Sequence, residues 1–305
     1  MSLTQINNFN DPEFIITGLI ADAIDQKKLP PQACDIISYS QHLNNDLQQQ
    51  YMVKTAGGDY FLKRQPDAAS SIAQYEAESS GLLTIMASHS IAAALPYATG
   101  SVRNHSYIII SHIPLAVHGD WADAGRQIAA MHNWHSVQGY GFERSTYCGA
   151  TAMNNKWNKS WADFYTDQRI RPMIEALEEK GELFADHERA LDRCRARLSG
   201  HQPEASLLHG DLWSGNIGFL PINGQSKPVV FDPACYFGDA ETDLAMTELF
   251  GRFPEAFYQG YNVIRPISPD YEERREIYQL FHLLNHALLF GGHYVNQSRE
   301  VLKRL

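Results

Sequence analysis

Two short segments constrain this chain more than any other part of it. One is Leu207-Leu208-His209-Gly210-Asp211-Leu212-Trp213-Ser214-Gly215-Asn216, and the other is Val229-Val230-Phe231-Asp232-Pro233. Each opens with an apolar run too short for a helix and closes on turn-forming residues, the pattern of a small buried strand. The first strand delivers a carboxylate and a carboxamide, five residues apart, into a glycine-containing loop. The second delivers another carboxylate sixteen residues further on. Asp and Asn stabilise turns on their own, and for an isolated pair that plain explanation is preferred. Here it would also have to account for His209, two glycines, the fixed spacing and Asp232.

Phosphoryl transfer to an alcohol needs these groups in this order. One Asp orients the attacking hydroxyl and accepts its proton, while an Asn and a second Asp supply hard oxygen ligands to Mg²⁺. The Asp-x-x-x-x-Asn spacing is that of a kinase catalytic loop. Asp211 is thus the candidate proton acceptor, with Asn216 and Asp232 the candidate metal ligands. A lysine should reach the nucleotide phosphates from a strand, held by a glutamate of the next helix. Lys63 ends a hairpin strand after Ala56-Gly57-Gly58-Asp59, and the following helix offers Glu76 and Glu78, between which helical periodicity does not choose. Ser111-His112-Ile113, after the apolar run Tyr107–Ile110, is placed to offer backbone groups to an adenine edge.

The rest of the chain supplies a frame. Asn10 or Asp11 caps a first helix that begins at Pro12, with Phe14, Ile15, Leu19, Ile20 and Ile24 as its apolar positions. Strands are expected at 35–40, 50–55, 60–63 and 106–111, a helix at 70–88 with Tyr75, Leu82, Leu83 and Met86 inward, and a loop at 96–100. Further helices are expected at 121–135, 160–179, 186–198, 241–250 and 273–290. The expected fold class is α+β, with two lobes divided near 111–115 and taken as 1–112 and 113–305.

The chain has 305 residues and a net charge of −10, with no basic stripe, so no nucleic-acid partner is expected. No apolar run approaches the roughly 20 residues that span a bilayer, and no membrane partner is expected. The N-terminal residues lack the order of a signal peptide. The four cysteines show neither Cys-x-x-Cys nor zinc spacing and read as free thiols of a cytoplasmic protein. His282 and His286 stand one helical turn apart, a spacing that can chelate, but no third ligand is identifiable, and packing is the expected role. His132 and His135 read the same way, and Trp157 with Trp161 reads as core.

Taken together, the 207–216 and 230–239 segments, Glu241-Thr-Asp-Leu-Ala-Met246, Phe250-Gly-Arg-Phe-Pro254, Tyr278–Phe281 with Leu284-Asn285-His286, and Asn155-Lys-Trp157 with Trp161–Phe164 resemble the fructosamine kinase (ketosamine-3-kinase) family. That family belongs to the wider aminoglycoside phosphotransferase and choline kinase group. Trp213-Ser214 and Asp232-Pro233 depart from typical aminoglycoside kinases towards this branch. The resemblance implies a protein-kinase-like fold with a small antiparallel-sheet N-lobe and a larger, mainly helical C-lobe. It implies ATP and Mg²⁺ as cofactors and the 3-hydroxyl of a ketosamine, such as a ribulosamine or fructosamine, as acceptor, leading to deglycation of a small-molecule or glycated amine. It assigns Asp211 as proton acceptor, Asn216 and Asp232 to Mg²⁺, Lys63 to phosphate with Glu78 as its partner, and Ser111, His112 and Ile113 to the adenine hinge. His209, Trp213, Asp239 and Glu241 are candidate substrate contacts. The family's glycine-rich first hairpin is replaced here by the glycine-free Gln41-His42-Leu43-Asn44-Asn45-Asp46. Two rivals remain: a kinase of an aminoglycoside or amino alcohol, and a nucleotide-binding scaffold with little turnover. Oligomeric state is left open.

Overall fold

A computed structural model describes residues 11–44, 48–68, 70–184 and 186–305. By internal contacts it divides into two compact units. The first runs to Leu83 and resumes over Ala94–Pro114, and the second takes Thr84–Ala93 and Leu115–Leu305.

The first unit is built on helix α1 (Pro12–Asp25), whose N-cap Asp11 accepts a hydrogen bond from Glu13 N at 3.1 Å. Strands β1 (Ile36–Asn44), β2 (Gln49–Thr55) and β3 (Gly58–Pro66) lead to helix α2 (Ser71–Ala87). After a two-residue strand β4 (Ala92–Ala93), which belongs to the second unit and pairs with a strand there, strands β5 (Pro96–Val102) and β6 (His105–Ser111) complete an antiparallel sheet ordered β1-β2-β3-β6-β5. Alternation decides the faces. Tyr51, Val53, Tyr60, Leu62, Tyr107 and Ile109 point to a core shared with Ile15, Ile16, Leu19 and Ile20 of α1. The intervening Lys63 and Gln65 point to the other face, where α2 meets them.

The expected loop at 96–100 is strand β5. Its apolar signal is weak because Ala98 and Gly100 hold the positions opposite β6, and the turn that pairs the strands uses Arg103 and Asn104 at φ 52° and 62°. Pro96 sits at the first strand position, where its missing N–H costs least. In α2 the buried apolar side chains are Tyr75, Ala77, Leu82 and Ile85, while Leu83 is exposed, so the apolar stripe is rotated from the expected one. The glycine-free segment falls partly in β1, and residues 45–46 lie outside the described residues.

The second unit contains helix α3 (Trp121–His132), the hairpin β7 (Thr146–Cys148) and β8 (Thr151–Met153), and helices α4 (Trp161–Tyr165), α5 (Arg171–Glu179) and α6 (His187–Ser199). Strands β9 (Ser206–Leu208), β10 (Ile217–Ile222), β11 (Gln225–Val230) and β12 (Tyr236–Gly238) follow, then helices α7 (Glu241–Leu249), α8 (Glu255–Ile264), α9 (Tyr271–Phe290) and α10 (His293–Arg304). The expected helix at 160–179 is interrupted by a π-helical turn, Thr166–Ile170, before Pro172. That turn carries the fully buried Arg169, whose guanidinium lies 4.1 Å from the Tyr236 ring centre and bonds Asn154 O. Among the described residues no helix is long and apolar enough to cross a membrane.

Helices α3 and α8 meet through glycine. A Cβ on Gly125 would lie 2.0 Å from Phe257 O, and one on Gly260 would lie 2.0 Å from Ala122 O. Neither obstacle is a movable side chain, so the helices must separate to admit a methyl group. Gly125→Ala should lower stability by about 3 kcal/mol, read by urea unfolding. Gly200→Ala, at φ −82° with nothing within 4 Å, is the control and should change little. Equal stability of the two variants would refute the close crossing.

Candidate active site

The loop after β9 is held from below. Gly210 adopts φ +82°, and a Cβ there would stand 2.1 Å from Ala234 O, so only glycine fits between the loop and the strand-end backbone. The N–H groups of His209 and Gly210 both donate to Asp243 of α7, at 2.7 and 2.9 Å. Asp243 also accepts from His132 Nε2 at 3.1 Å, and His132 bonds the Tyr261 hydroxyl through Nδ1 at 2.7 Å. Burial pushes the Asp243 carboxyl up, but the bonds from His132 and the loop outweigh it and hold the group below the usual carboxylate range.

His209 is fully buried. Its Nδ1 accepts from Asp211 N–H at 3.3 Å, which leaves Nε2 to donate to Phe231 O at 3.0 Å. One ring therefore ties the loop to the end of β11. Burial lowers its pKa, in keeping with a neutral ring in this tautomer. Both ring nitrogens of this candidate substrate contact are engaged, Nδ1 within the loop and Nε2 at Phe231 O.

Asp211 follows this clasp. Asn216, just before β10, turns its side-chain amide back to donate to Asp211 O at 2.9 Å and to Asp211 Oδ2 at 3.1 Å. Burial pushes the Asp211 carboxyl up to about 7, with the Asp232 charge adding to the shift and the Asn216 hydrogen bond opposing it. Asp232 itself sits at φ +56°, uncommon for a residue other than glycine, two residues past the end of β11. The Asp211 and Asp232 carboxylates, with the Asn216 carboxamide oxygen, offer hard oxygen donors of the kind a divalent cation takes. Trp213 remains 38% exposed and lies over Gly215, where a Cβ would stand 2.3 Å from the indole. It is the candidate substrate contact left with an open face.

Asp239 and Glu241 are both buried and both engaged. Asp239 Oδ2 accepts from the Tyr278 hydroxyl at 2.6 Å and lies 2.7 Å from His201 Nε2. Glu241 takes a two-pronged bond from Arg274 at 2.7 and 2.8 Å. The Glu241–Arg274 pair joins α7 to α9, and both candidate substrate carboxylates are engaged by protein partners. Trp161 is core, donating to the Tyr278 hydroxyl at 3.1 Å, whereas Trp157 is 36% exposed beside Phe237.

In the first unit, Lys63 Nζ meets Glu78 Oε1 at 2.7 Å, with the lysine 3% exposed. Glu76 is exposed, so the structure distinguishes two glutamates that periodicity left equal. At the end of β6, Ser111 N donates to Leu95 O at 2.8 Å and His112 N to Asp59 O at 3.3 Å, so both N–H groups belong to the sheet.

Sequence reasoning missed Asp243 and the loop-holding role of His132. The signal for Asp243 was its place in the Glu241–Met246 segment. A buried carboxylate receiving two backbone N–H groups leaves no spacing pattern of its own. It also missed that Cys148 and His282 stand beside Asp211.

Comparison with known proteins places the chain in a family. Residues 20–305 match the fructosamine kinase family. A probable ketoamine kinase of Vibrio parahaemolyticus is 37% identical over 263 residues, covering 85% of this chain and 89% of that protein. The crystal structure of a candidate fructosamine-3-kinase of Haemophilus somnus 129PT superposes with a TM-score of 0.84 at 26% identity, covering 95% of this chain and 97% of the other. An aminoglycoside phosphotransferase shares the fold alone, at a TM-score of 0.60 and 15% identity over 93% of this chain and 97% of its own. The chain belongs to the fructosamine kinase family and is a kinase of sugar–amine adducts, a phosphotransferase with a hydroxyl group as acceptor.

Proposed function

We propose that the enzyme transfers the γ-phosphoryl group of ATP, with Mg²⁺, to the 3-hydroxyl of a ketosamine such as a ribulosamine or fructosamine. The observation that carries this reading is the Asp211 carboxylate, gripped by Asn216, flanked by Asp232 and shifted to about 7. A base poised near neutrality takes a hydroxyl proton most effectively at physiological pH. An aminoglycoside phosphotransferase of the same fold with AMP-PNP bound adds support for ATP.

In the proposed step Asp211 aligns the substrate hydroxyl and accepts its proton. The hydroxyl oxygen bonds to the γ-phosphorus as the β–γ bridging bond breaks, and ADP leaves with that electron pair. Asn216 and Asp232 would hold Mg²⁺, which supplies charge neutralisation on the phosphates. Lys63, kept in place by Glu78, is proposed to bind phosphate, and the 111–113 backbone to take the adenine edge. Trp213 offers an apolar face to the sugar–amine. The phosphorylated adduct then sheds its amine, which amounts to deglycation. The reading extends to a cytoplasmic enzyme, in keeping with the free thiols of Cys148, Cys194 and Cys235.

ATP consumption should be fastest with ribulosamine or fructosamine derivatives of lysine in a panel that includes aminoglycosides and amino alcohols. A preference for one of the latter classes would overturn the substrate assignment. Asp211→Asn should abolish turnover while nucleotide binding, read by calorimetry, persists; full turnover would refute the assigned base. Lys63→Ala should lower turnover about a hundredfold or more.

Asp211 also yields a pH prediction. Its folded pKa of about 7 lies above the ordinary 3.8, so between those values the folded state binds the extra proton. The stabilising share of that proton is full below 3.8 and is lost as pH rises through about 7. Asp211→Asn does not titrate. In protein freed of divalent cations, the melting temperature of the variant relative to the parent should therefore climb from pH 5 to pH 8. A difference independent of pH would contradict the shift.

A further inference from the structure

On one side of Asp211 lies a group that the phosphoryl-transfer reading does not use. Cys148 closes β7, and His282 lies mid-way along α9. The Cys148 sulfur, a carboxylate oxygen of Asp211 and a ring nitrogen of His282 all stand within 4.8 Å of one another. His282 Nδ1 is 3.9 Å from Asp211 Oδ1, while the other oxygen, Oδ2, is held by Asn216. The His282 residue is 4% exposed, and its Nδ1 is buried with no hydrogen-bond partner among the described residues. An orphaned buried ring nitrogen aimed at a carboxylate and a thiol calls for a ligand. The frame is rigid: Asn285, one turn along α9, donates to Cys148 O at 3.2 Å and accepts from Thr151 Oγ1 at 2.5 Å, which ties the β7–β8 hairpin to the helix.

We propose that Cys148, Asp211 and His282 form a binding site for a thiophilic divalent cation of the zinc type, and that its occupation silences the enzyme by taking the Asp211 carboxylate. The donor set is one sulfur, one nitrogen and one oxygen, which leaves a fourth tetrahedral position for water. Zn–ligand bonds of about 2.0–2.3 Å place neighbouring donors roughly 3.3–3.7 Å apart. Small side-chain rotations close the remaining distance. Mg²⁺ and Ca²⁺ take oxygen ligands and gain little from a thiol and an imidazole. The site thus separates a soft inhibitory ion from the hard ion proposed for Asn216 and Asp232. The His282 ring, whose pKa burial lowers to about 3, is already neutral and ready to coordinate. Burial raises the Cys148 thiol, so binding must release its proton to solvent, a cost that a directly bound cation offsets. The Asp211 side chain keeps 18% exposure, and the ion enters past it.

The silencing half of this proposal rests on Asp211 as the proton acceptor; the binding half does not. Binding is read first on the full-length protein without nucleotide, using Co²⁺ as the probe. A thiolate-to-cobalt charge-transfer band should appear, be displaced by Zn²⁺, and survive millimolar Mg²⁺. It should persist in Cys34→Ser, which removes the exposed thiol. It should vanish in Cys148→Ala, and His282→Asn should weaken Co²⁺ binding by at least about tenfold, with circular dichroism confirming that each variant is folded. Zn²⁺ should then inhibit turnover at saturating Mg-ATP in the parent. In Cys148→Ala and His282→Asn, each compared with its own zinc-free rate at saturating Mg-ATP, inhibition should require at least about tenfold more Zn²⁺. No band in the parent, or an undiminished band in Cys148→Ala, overturns the site. A Cys148-dependent band with turnover unaffected by Zn²⁺ overturns the silencing, and turnover absent in the zinc-free parent at saturating Mg-ATP overturns the proposed function while leaving the site standing.

Discussion

The active-site loop depends on one buried carboxylate. Asp243 receives the N–H groups of His209 and Gly210 and a ring nitrogen of His132, so three donors from two distant segments meet on one side chain. The loop could not take this path with any residue but glycine at 210, because its backbone passes against Ala234 O. Without the carboxylate, two N–H groups would be buried unpaired, at about 1–3 kcal/mol each. The positions of Asp211 and Asn216 are consequences of that anchorage. His209 completes it by binding Phe231 O just past β11, and the next residue is Asp232.

Much of the first unit was legible because its signals are local. Asp11 and Pro12 mark a helix start, Gly57-Gly58 marks a hairpin, and alternation along β3 puts Lys63 on the face opposite Tyr60 and Leu62. What escaped was decided by tertiary contact. Strand β5 carries alanine, glycine and serine, and β6 makes it a strand. The helices α8 and α10 were not expected. In α8, Gly260 lowers intrinsic helix preference, yet that glycine is what lets α3 approach. The π turn at 166–170 accommodates one inward arginine, which no periodicity announces.

The same division runs through the site. Asp211, Asn216 and Asp232 share a spacing that chemistry makes recognisable. The pairing of Lys63 with Glu78 was within reach, since the candidates were two residues on one helix. The protein partners of Asp239, Glu241 and His209 were not legible for one reason. Proximity in sequence to a motif says nothing about which way a side chain faces, and all three turn inward to partners from α9, from the 200–205 segment or from the loop itself.

Three aspartates in this small region also show how environment divides labour between identical side chains. Asp243 and Asp211 are both withdrawn from water, which by itself favours the neutral acid in each. Asp243 is surrounded by donors and stays ionised, so it serves as a fixed anchor. Asp211 has one amide donor and faces the negative charge of Asp232, so its proton affinity rises into the physiological range. A carboxylate that anchors must not titrate, whereas one that accepts a proton must be able to hold it. Exchanging the two environments would give a loop that loosens near neutral pH and a base too weak to take a hydroxyl proton. The placement of donors around Asp243, and their scarcity around Asp211, is therefore as much a part of the site as the carboxylates themselves.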